Sequence, residues 1–242
     1  MIETSPSTSI TAAANARTVL RSALGASRWK PGEKLPSERV LSQELGVNRM
    51  SLRQALLALE HEGEVFRIDR RGWFVAQRRF VYDPITHVSF AQSGGAQGAV
   101  SWSDLDTGTE PASAQDAADL GIDQGAPLHR LRGWGAFNGH RVFVHDVLIN
   151  GAAVPDFLDK FDHGSVTRHW TQTYGIDPVL GDVLIRPVRL EGDPQQILGC
   201  SSGAPGLYIR RKKLDPNGRV IQIDREFWRN EAIEIRFTGG PI

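Results

Sequence analysis

The sequence has almost no cysteine and no long apolar run. Cys200 is its single cysteine, so no internal disulfide can form, and we expect a reducing, cytoplasmic setting. No apolar stretch approaches the roughly 20 residues that a membrane helix needs. The first residues lack the charged start and apolar core of a secretory signal. With 40% hydrophobic and 23% charged residues, the composition indicates an ordinary globular protein without a membrane partner.

Motifs for catalysis, metal binding and cofactor binding are also missing from the sequence. The seven histidines have no cysteine at zinc-site spacing, and His140 and His145 should lie on opposite faces of a strand. No Walker or Rossmann glycine motif is present. Cys200 has no base nearby in the sequence and is expected to be a packed thiol. We therefore expect no catalytic residues, no metal and no cofactor.

The zero net charge hides an asymmetry between the two ends of the chain. Residues 1–80 carry 13 Lys and Arg against 8 Asp and Glu, whereas residues 81–242 carry 15 against 20. A length of 242 residues suits one or two domains. A basic first third ahead of an acidic remainder suits a DNA-binding domain followed by a domain that does not bind DNA, although such an offset also arises by chance.

Two short helices joined by a tight turn are predicted between residues 37 and 62. Ser37 is a good N-cap, and Gly46 a good left-handed stop for the first helix. Asn48 can cap a second helix that runs to about Glu62, before Gly63. This spacing is typical of a helix-turn-helix, whose second helix enters the major groove of DNA. One apolar stripe on that helix should face the core: Leu52, Ala55, Leu56 and Leu59.

A β-hairpin should follow, with the turn Ile68–Gly72 between two short strands. Arg70 and Arg71 would lie at its tip, near phosphates or the minor groove of DNA. Spacing alone leaves a second interpretation open, in which an ordinary helical pair and hairpin carry solvated arginines.

The stretch from Leu35 to Val65 resembles the winged helix-turn-helix of the GntR superfamily, because LPSERVLSQELGVNRMSLRQALLALEHEGEV follows that motif nearly throughout. Two departures stand out: Asn48 replaces the usual Ser, and RRGW replaces the glycine-rich wing, with Arg70 in place of a flexible glycine. The resemblance implies double-stranded operator DNA as a partner. It also implies these DNA-contacting residues: Ser37, Arg39, Arg49, Ser51, Arg53, Arg70 and Gly72.

The remainder of the chain contains an internal duplication. AADLGIDQGAPLHRLRG recurs 78 residues later as QQILGCSSGAPGLYIRR, and Asn138-Gly139 then aligns with Asn217-Gly218 at a further hairpin signal. Each copy predicts a helix, a turn and two hairpin strands. Two such copies predict an α+β domain around an antiparallel sheet.

This arrangement resembles the chorismate-lyase-like UTRA effector domain that accompanies GntR domains in the HutC subfamily, and RFVYDP is most similar to phosphonate-utilisation regulators. The predicted organisation is a winged helix-turn-helix over residues 11–77, a linker over 78–83, and an effector-binding and dimerisation domain over 84–242.

An anion-binding cavity is expected in this second domain. Arg130 and Arg132 share one face of a strand, and guanidinium groups suit phosphate or phosphonate. Ser165 begins a helix whose N-terminus offers free amides. Asp224 could pair with a ligand amine, although a structural salt bridge is the more ordinary interpretation; Arg210 or Lys212 could be the anion ligand instead. By approximate alignment with the family, further contacts fall on Ser89, His145, Thr167 and Gln222.

The sequence thus predicts a homodimeric transcription regulator that is controlled by a small anionic effector, for which 2-aminoethylphosphonate is the leading candidate. Two other interpretations stay open: a chorismate-lyase-like enzyme fused to a DNA-binding domain, and a constitutive DNA-binding protein whose second domain only dimerises.

Overall fold

The computed structural model describes residues 6–83 and 90–237, including all of their side chains except those of residues 6–10 and 92. The chain divides into two compact units. The first contains the segment up to Arg79 together with Arg189–Pro205 and Asn230–Ala232, and the second contains the rest. Within the described ranges, no helix is both long and apolar enough to cross a membrane.

Three helices form the first part of unit 1: α1 (Pro6–Gly25), α2 (Glu38–Leu45) and α3 (Arg49–His61). The predicted caps of α2 and α3 are present. Ser37 accepts a hydrogen bond from the amide of Val40 at 3.4 Å, and Gly46 ends α2 with φ of 65°. Asn48 Oδ1 accepts from the amide of Ser51 at 2.8 Å. Each cap satisfies amides or carbonyls that a helix end leaves without partners, which fixes the turn between the two helices.

The predicted apolar stripe of α3 lies at the centre of the unit 1 core. Burying a leucine side chain stabilises a fold by about 1.5–3 kcal/mol, so this core holds the three helices together. Its buried members are Leu20, Trp29, Leu35, Leu41, Leu52, Leu56, Leu59, Val65 and Trp73.

The predicted hairpin follows α3 as β1 (Val65–Ile68) and β2 (Gly72–Val75) in antiparallel register. Its turn is shorter than expected, because Ile68 and Gly72 pair as the last strand residues. The amide of Asp69 donates to the carbonyl of Gly199 at 3.1 Å, and Ile68 forms an isolated bridge with Cys200. Cys200 is buried, as expected for a packed thiol.

A six-stranded antiparallel sheet dominates unit 2. The strands are β4 (Val100–Pro111), β5 (Pro127–Phe137), β6 (His140–Asn150), β7 (Val179–Leu190), β8 (Ala204–Leu214) and β9 (Val220–Arg229). Their order in the sheet is β4-β5-β6-β9-β8-β7, so the two halves of the sheet mirror each other about the β6–β9 pair. The helix and two hairpin strands predicted for each copy are α5 (Ala114–Leu120) with β5 and β6, and α8 (Gly192–Leu198) with β8 and β9. The structure adds a long strand before each helix.

Separate apolar clusters cover the two faces of this sheet. On one face, α6 (Phe157–Lys160) and α7 (Val166–Tyr174) pack through Phe157 and Trp170 against Leu131 and Val147. On the other face, α5 packs against Leu128, Leu148 and Ile223. Neighbouring residues of a strand therefore face different surroundings, which decides the position of every site residue below.

Part of the expected linker is a strand. Residues Phe80–Tyr82 form β3, which pairs in parallel with β10 (Ile233–Ile235) after a 3-10 turn at Asn230–Ala232. Helix α4 (Phe90–Gly94) packs near β3. These three residues fall within the expected linker over 78–83, and they lie in a strand whose Phe80 and Tyr82 are buried in an aromatic cluster.

Candidate DNA interface and effector cavity

A basic groove of about 400 Å³ lies between the start of α2 and the wing in unit 1. Ser37 and Gly72, two of the expected DNA contacts, line it. Glu38 is its one carboxylate among the lining residues. Six cationic side chains line it: Lys34, Arg39, Arg49, Arg67, Arg70 and Arg71. Such a concentration of cations favours a polyanion and suits the phosphate backbone of DNA.

The wing side of the groove is held by a buried tryptophan. Trp73 is 5% exposed, and its Nε1–H donates to Glu38 Oε1 at 3.1 Å. The guanidinium of Arg67 lies 6.0 Å from the centre of the Trp73 ring. Trp73 is the last residue of RRGW, the stretch that departs from the family motif. Here it joins the unit core and supports one of the cations.

Arg70 adopts an unusual backbone conformation at the tip of the wing. Its φ is 58°, in the left-handed region that favours glycine, and its side chain is 94% exposed. Gly72 follows with φ of 98°. The sequence keeps an exposed arginine where the family more often has glycine, so the tip is both strained and positively charged.

The structure separates the expected contacts on α3. Arg49 lines the groove, whereas Arg53 is exposed on the helix outside it. Ser51 is only 6% exposed, because it lies on the side of α3 that carries the buried stripe. We therefore correct the expectation for Ser51: its position supports the helix cap and core, and it does not present a hydroxyl on the surface.

A cavity of about 100 Å³ lies on the α6–α7 face of the sheet in unit 2. This is several times the space that one water molecule needs. Aromatic and aliphatic side chains form most of its wall, including Phe90, Trp102, Leu131, Phe143 and Phe161. Its polar lining comes from the strands and from the start of α7: Asp104, His145, Ser165, Thr167, Arg211, Lys213, Gln222, Asp224 and Glu226.

Four charged side chains form an ion cluster at the floor of this cavity: Arg211, Lys213, Asp224 and Glu226. Lys213 Nζ lies 3.1 Å from Asp224 Oδ2, and Arg211 lies 3.2 Å from the same oxygen. Arg211 also pairs with Glu226. All four side chains are nearly fully buried. Two cations and two carboxylates balance each other, which offsets the high cost of burying isolated charges.

Burial and pairing shift the acidities of this cluster in different directions. Burial opposes ionisation of Asp224, but Lys213 and Arg211 together hold the pKa of that carboxyl below its ordinary value. Burial raises the pKa of Glu226 and lowers the pKa of Lys213. The charges of the cluster therefore depend on one another, and a ligand that brings its own charge would change this balance.

The start of α7 adds hydrogen-bonding groups above the cluster. Ser165 caps α7 as predicted, accepting from the amide of Arg168 at 3.4 Å. Lys213 Nζ donates to Thr167 Oγ1 at 3.0 Å, which ties the helix start to the floor. Gln222 Oε1 accepts from Trp170 Nε1 at 2.7 Å, and Gln222 also donates to Asp224. Backbone amides of a helix start, a hydroxyl and an ammonium group converge here, an arrangement suited to an anion.

The remaining wall carries a histidine and a carboxylate. Asp104 Oδ2 is 2.7 Å from His163 Nδ1, and the carbonyl of His163 accepts from Trp102 Nε1 at 3.2 Å. His145 Nδ1 is shielded from solvent and has no hydrogen-bond partner among the described residues. Burial lowers the pKa of His145, so the ring is neutral and can bind a polar ligand atom.

The structure brings together five of the eight expected effector contacts: His145, Ser165, Thr167, Gln222 and Asp224 all line the cavity. Ser89 lies outside the described residues.

Arg130 and Arg132 do not join this cavity. They lie on the α5 face of the sheet, opposite the cavity face that carries Leu131. Arg130 pairs with Glu110 at 2.5 Å, with Asp116 at 3.0 Å and with Asp146 at 3.1 Å. The expected convergence of these arginines with Ser165 is therefore wrong, because adjacent strand positions point to opposite faces.

Arg210 and Lys212 fall on the wrong strand positions for the same reason. Arg210 pairs with Asp119 and Asp182 instead of lining the cavity. Four charged cavity residues were not expected from the sequence: the cations Arg211 and Lys213, which are the strand neighbours of Arg210 and Lys212, and the carboxylates Glu226 and Asp104. The antiparallel register aligns Arg211 with Asp224 and Lys213 with Gln222. Residues aligned across two strands share a face, so the expectation that Gln222 and Asp224 face the cavity already carried this signal.

Within the described part of the chain, no group of three or more His, Cys, Asp or Glu side chains is arranged to hold a metal ion.

Comparison with known proteins identifies the class that these two sites define. Residues 12–75 match the model of the bacterial regulatory proteins of the gntR family, and residues 96–234 match the model of the UTRA domain. The chain belongs to the GntR family of bacterial transcription regulators, with a HutC-like combination of a helix-turn-helix and an effector-binding UTRA domain. The relatives it matches are named as transcription regulators and repressors, and the chain is a DNA-binding regulator of the same class.

Individual relatives agree with this class. The chain is 40% identical over 207 residues to the uncharacterized HTH-type transcriptional regulator YihL of Escherichia coli K12, covering 85% of this chain and 88% of YihL. It is 27% identical over 209 residues to the HTH-type transcriptional repressor PhnF of Mycolicibacterium smegmatis, covering 84% and 82%. The crystal structure of PhnF from Mycobacterium smegmatis superposes with a TM-score of 0.63 at 23% identity, covering 93% of this chain and 99% of that one, which shows a shared fold.

Proposed function

We propose that this regulator binds a near-palindromic operator as a homodimer, and that a small effector with both an anionic group and an amine controls this binding. The basic groove supports operator binding. Arg49, the first residue of α3, lines this groove with five other cations, and α3 is the helix that a helix-turn-helix inserts into the major groove, its recognition helix. A helix-turn-helix reads a two-fold operator through two copies, one per half-site.

The charge pattern of the cavity is the observation that carries the effector proposal. Lys213, Thr167 and the start of α7 offer donors to an anionic group. Asp104 and the carboxylates of the ion cluster offer acceptors to an amine. A ligand that is only anionic or only cationic would leave part of this lining unbalanced.

A small phosphonate or phosphate ester that carries an amine has both groups, and 2-aminoethylphosphonate is our leading example. In this assignment, the phosphonate faces Lys213 and the helix start, and the ammonium group faces the carboxylates. Arg130 and Arg132 have no role in it. Binding would act on the operator only through different affinities for two states of the protein, and such couplings are typically about 5- to 150-fold.

Calorimetry against phosphonates, sugar phosphates and carboxylates tests the effector class. The parent should bind the phosphonate. Lys213→Met should weaken binding by about tenfold to a hundredfold, because it removes one charge-assisted hydrogen bond. Arg132→Ala is the matched control, since it removes a cation from the opposite face and should leave binding unchanged. Equal effects of the two substitutions would place the pocket elsewhere, and binding of neutral ligands alone would exclude the phosphonate.

Sedimentation of the full-length chain tests the homodimer. A dimer at micromolar concentration is expected, and two protomers should bind each operator duplex. A monomer that occupies the operator in single copies would refute this part of the proposal.

A further inference from the structure

The cavity is connected to strand β3 through an aromatic ring. Tyr82 is 1% exposed, and the guanidinium of Arg211 lies 5.4 Å from the centre of its ring. A guanidinium over an aromatic face is attracted to it, and more strongly when both are shielded from water. Arg211 belongs to the ion cluster of the cavity floor, so β3 contacts that cluster directly.

A second connection runs through Trp228. Its ring stacks on Tyr82 at 5.8 Å and on Phe80 at 5.8 Å. Trp228 Nε1–H donates to Glu226 Oε2 at 2.8 Å, and the other oxygen of Glu226 pairs with Arg211. Both aromatic residues of β3 therefore pack on Trp228, which is hydrogen-bonded to Glu226, the partner of Arg211.

The residue before β3, Arg79, is hydrogen-bonded to the end of the recognition helix α3. Phe80 is fully buried in unit 2. The preceding residue, Arg79, donates to the carbonyls of Glu62 at 2.8 Å and Gly63 at 3.3 Å, directly after the end of α3. Arg79 is thus held by unit 1 and the next residue, Phe80, by unit 2. A displacement of β3 therefore pulls on Arg79 through a single peptide bond.

We propose that Tyr82 is a positioning residue that couples the ion cluster of the effector cavity to the DNA-binding unit, through its contact with Arg211 and through β3. The proposal rests on the effector function proposed above and names the route by which it is regulated. An effector that draws Arg211 or Glu226 toward itself weakens the contact with the Tyr82 ring and shifts β3. The state of the cavity thereby biases the segment that continues into Arg79.

Hydrogen exchange of the full-length protein tests this coupling without a ligand. Lys213→Met removes one of the two cations at Asp224, which draws Arg211 toward that carboxylate and away from Tyr82. We expect the amides of residues 80–83 to exchange at least about fivefold faster in this variant, the lower end of typical couplings. The same substitution is then made in Tyr82→Leu, which lacks the aromatic face, and in Tyr82→Phe, which keeps it.

The expected result is that Lys213→Met accelerates exchange of β3 in the parent and in Tyr82→Phe, but has no further effect in Tyr82→Leu. Near-UV circular dichroism checks that each variant is folded, and Tyr82→Met replaces Tyr82→Leu if the latter is not. An equal acceleration with and without the ring, or no acceleration in any background, overturns the proposal.

Operator binding with 2-aminoethylphosphonate as the probe separates this proposal from the effector assignment. If the probe binds, Tyr82→Leu should still bind it in calorimetry but lose the shift in operator affinity that the parent and Tyr82→Phe show. A retained shift in Tyr82→Leu overturns the coupling role. Failure of the probe to bind the parent counts against the effector class, and the exchange experiment then decides the role of Tyr82.

Discussion

Replacing the wing-tip arginine should reduce the salt dependence of DNA binding by an amount that follows from the groove. Each phosphate that a protein neutralises on double-stranded DNA contributes about −0.9 to the slope of log K against log salt. Six cations line the groove. If all six contact phosphates, the slope is about −5 for one DNA-binding unit and about −11 for two.

Arg70→Ala removes one of these six, and its side chain is 94% exposed, so the loss should not disturb the fold. We expect the slope to become less steep by about 0.9 for each unit, or about 2 for a dimer. The affinity should fall equally for the operator and for unrelated DNA, because phosphate contacts carry no sequence information.

Fluorescence anisotropy with labelled duplexes at several salt concentrations measures both quantities. Arg219→Ala is the control, because Arg219 is 75% exposed and pairs with nearby Asp215 in the second unit. This substitution changes the net charge by the same amount. An unchanged slope in Arg70→Ala would show that the wing does not contact phosphates. The same change in Arg219→Ala would show that net charge, and not a contact of the wing, governs binding.

Three further predictions concern the recognition helix, the core of unit 1 and the buried His169. Arg49→Ala should weaken operator binding by roughly 1–3 kcal/mol if it contacts a base edge; equal losses on unrelated DNA in a competition gel shift would assign it to phosphate instead. Leu56→Ala should lower the free energy of unfolding by about 2–5 kcal/mol, measured by urea denaturation, because Leu56 is fully buried. A smaller loss would mean that neighbouring side chains fill the space that the leucine leaves. Burial lowers the pKa of His169 below 6.5, so the unfolded state takes up its proton first and stability falls as pH drops through that value. His169→Gln should therefore lose less stability than the parent between neutral and acidic pH, and parallel profiles would contradict this.

The local features of unit 1 were predictable from the sequence, because neighbouring residues determine them. A capping side chain acts on amides two or three residues away, and Ser37 and Asn48 do so at the expected positions. Gly46 ends its helix in the left-handed conformation that glycine adopts without strain. The burial of Ser51 was not predicted, because the family motif indicated a DNA contact at that position.

The cavity was predictable only in part, because its residues come from distant strands. The duplication gave the order of helices and strands in both copies, but a repeat alignment does not state which face of the sheet is covered by which helices. That choice depends on long-range packing of α6 and α7 on one face and of α5 on the other. A shift of one residue along a strand exchanges the two faces, so Arg130 and Arg132 were assigned to the cavity although they lie behind it.

The charges on the two faces explain why the sequence alone favoured the wrong arginines. Arg130 and Arg132 lie on a face where Asp116 of α5 and Asp146 of β6 neutralise them. The cavity face has its own balanced cluster, and the sequence alone does not distinguish its Arg211 from Arg130 or Arg132. What distinguishes them is access: Arg211 lines a cavity beside a helix start, whereas Arg130 is paired with three carboxylates. An arginine whose bonds are all made by the fold stabilises it. One whose partners line a cavity can exchange them for a ligand, and this difference supports our proposal that the effector is recognised from β8 and β9.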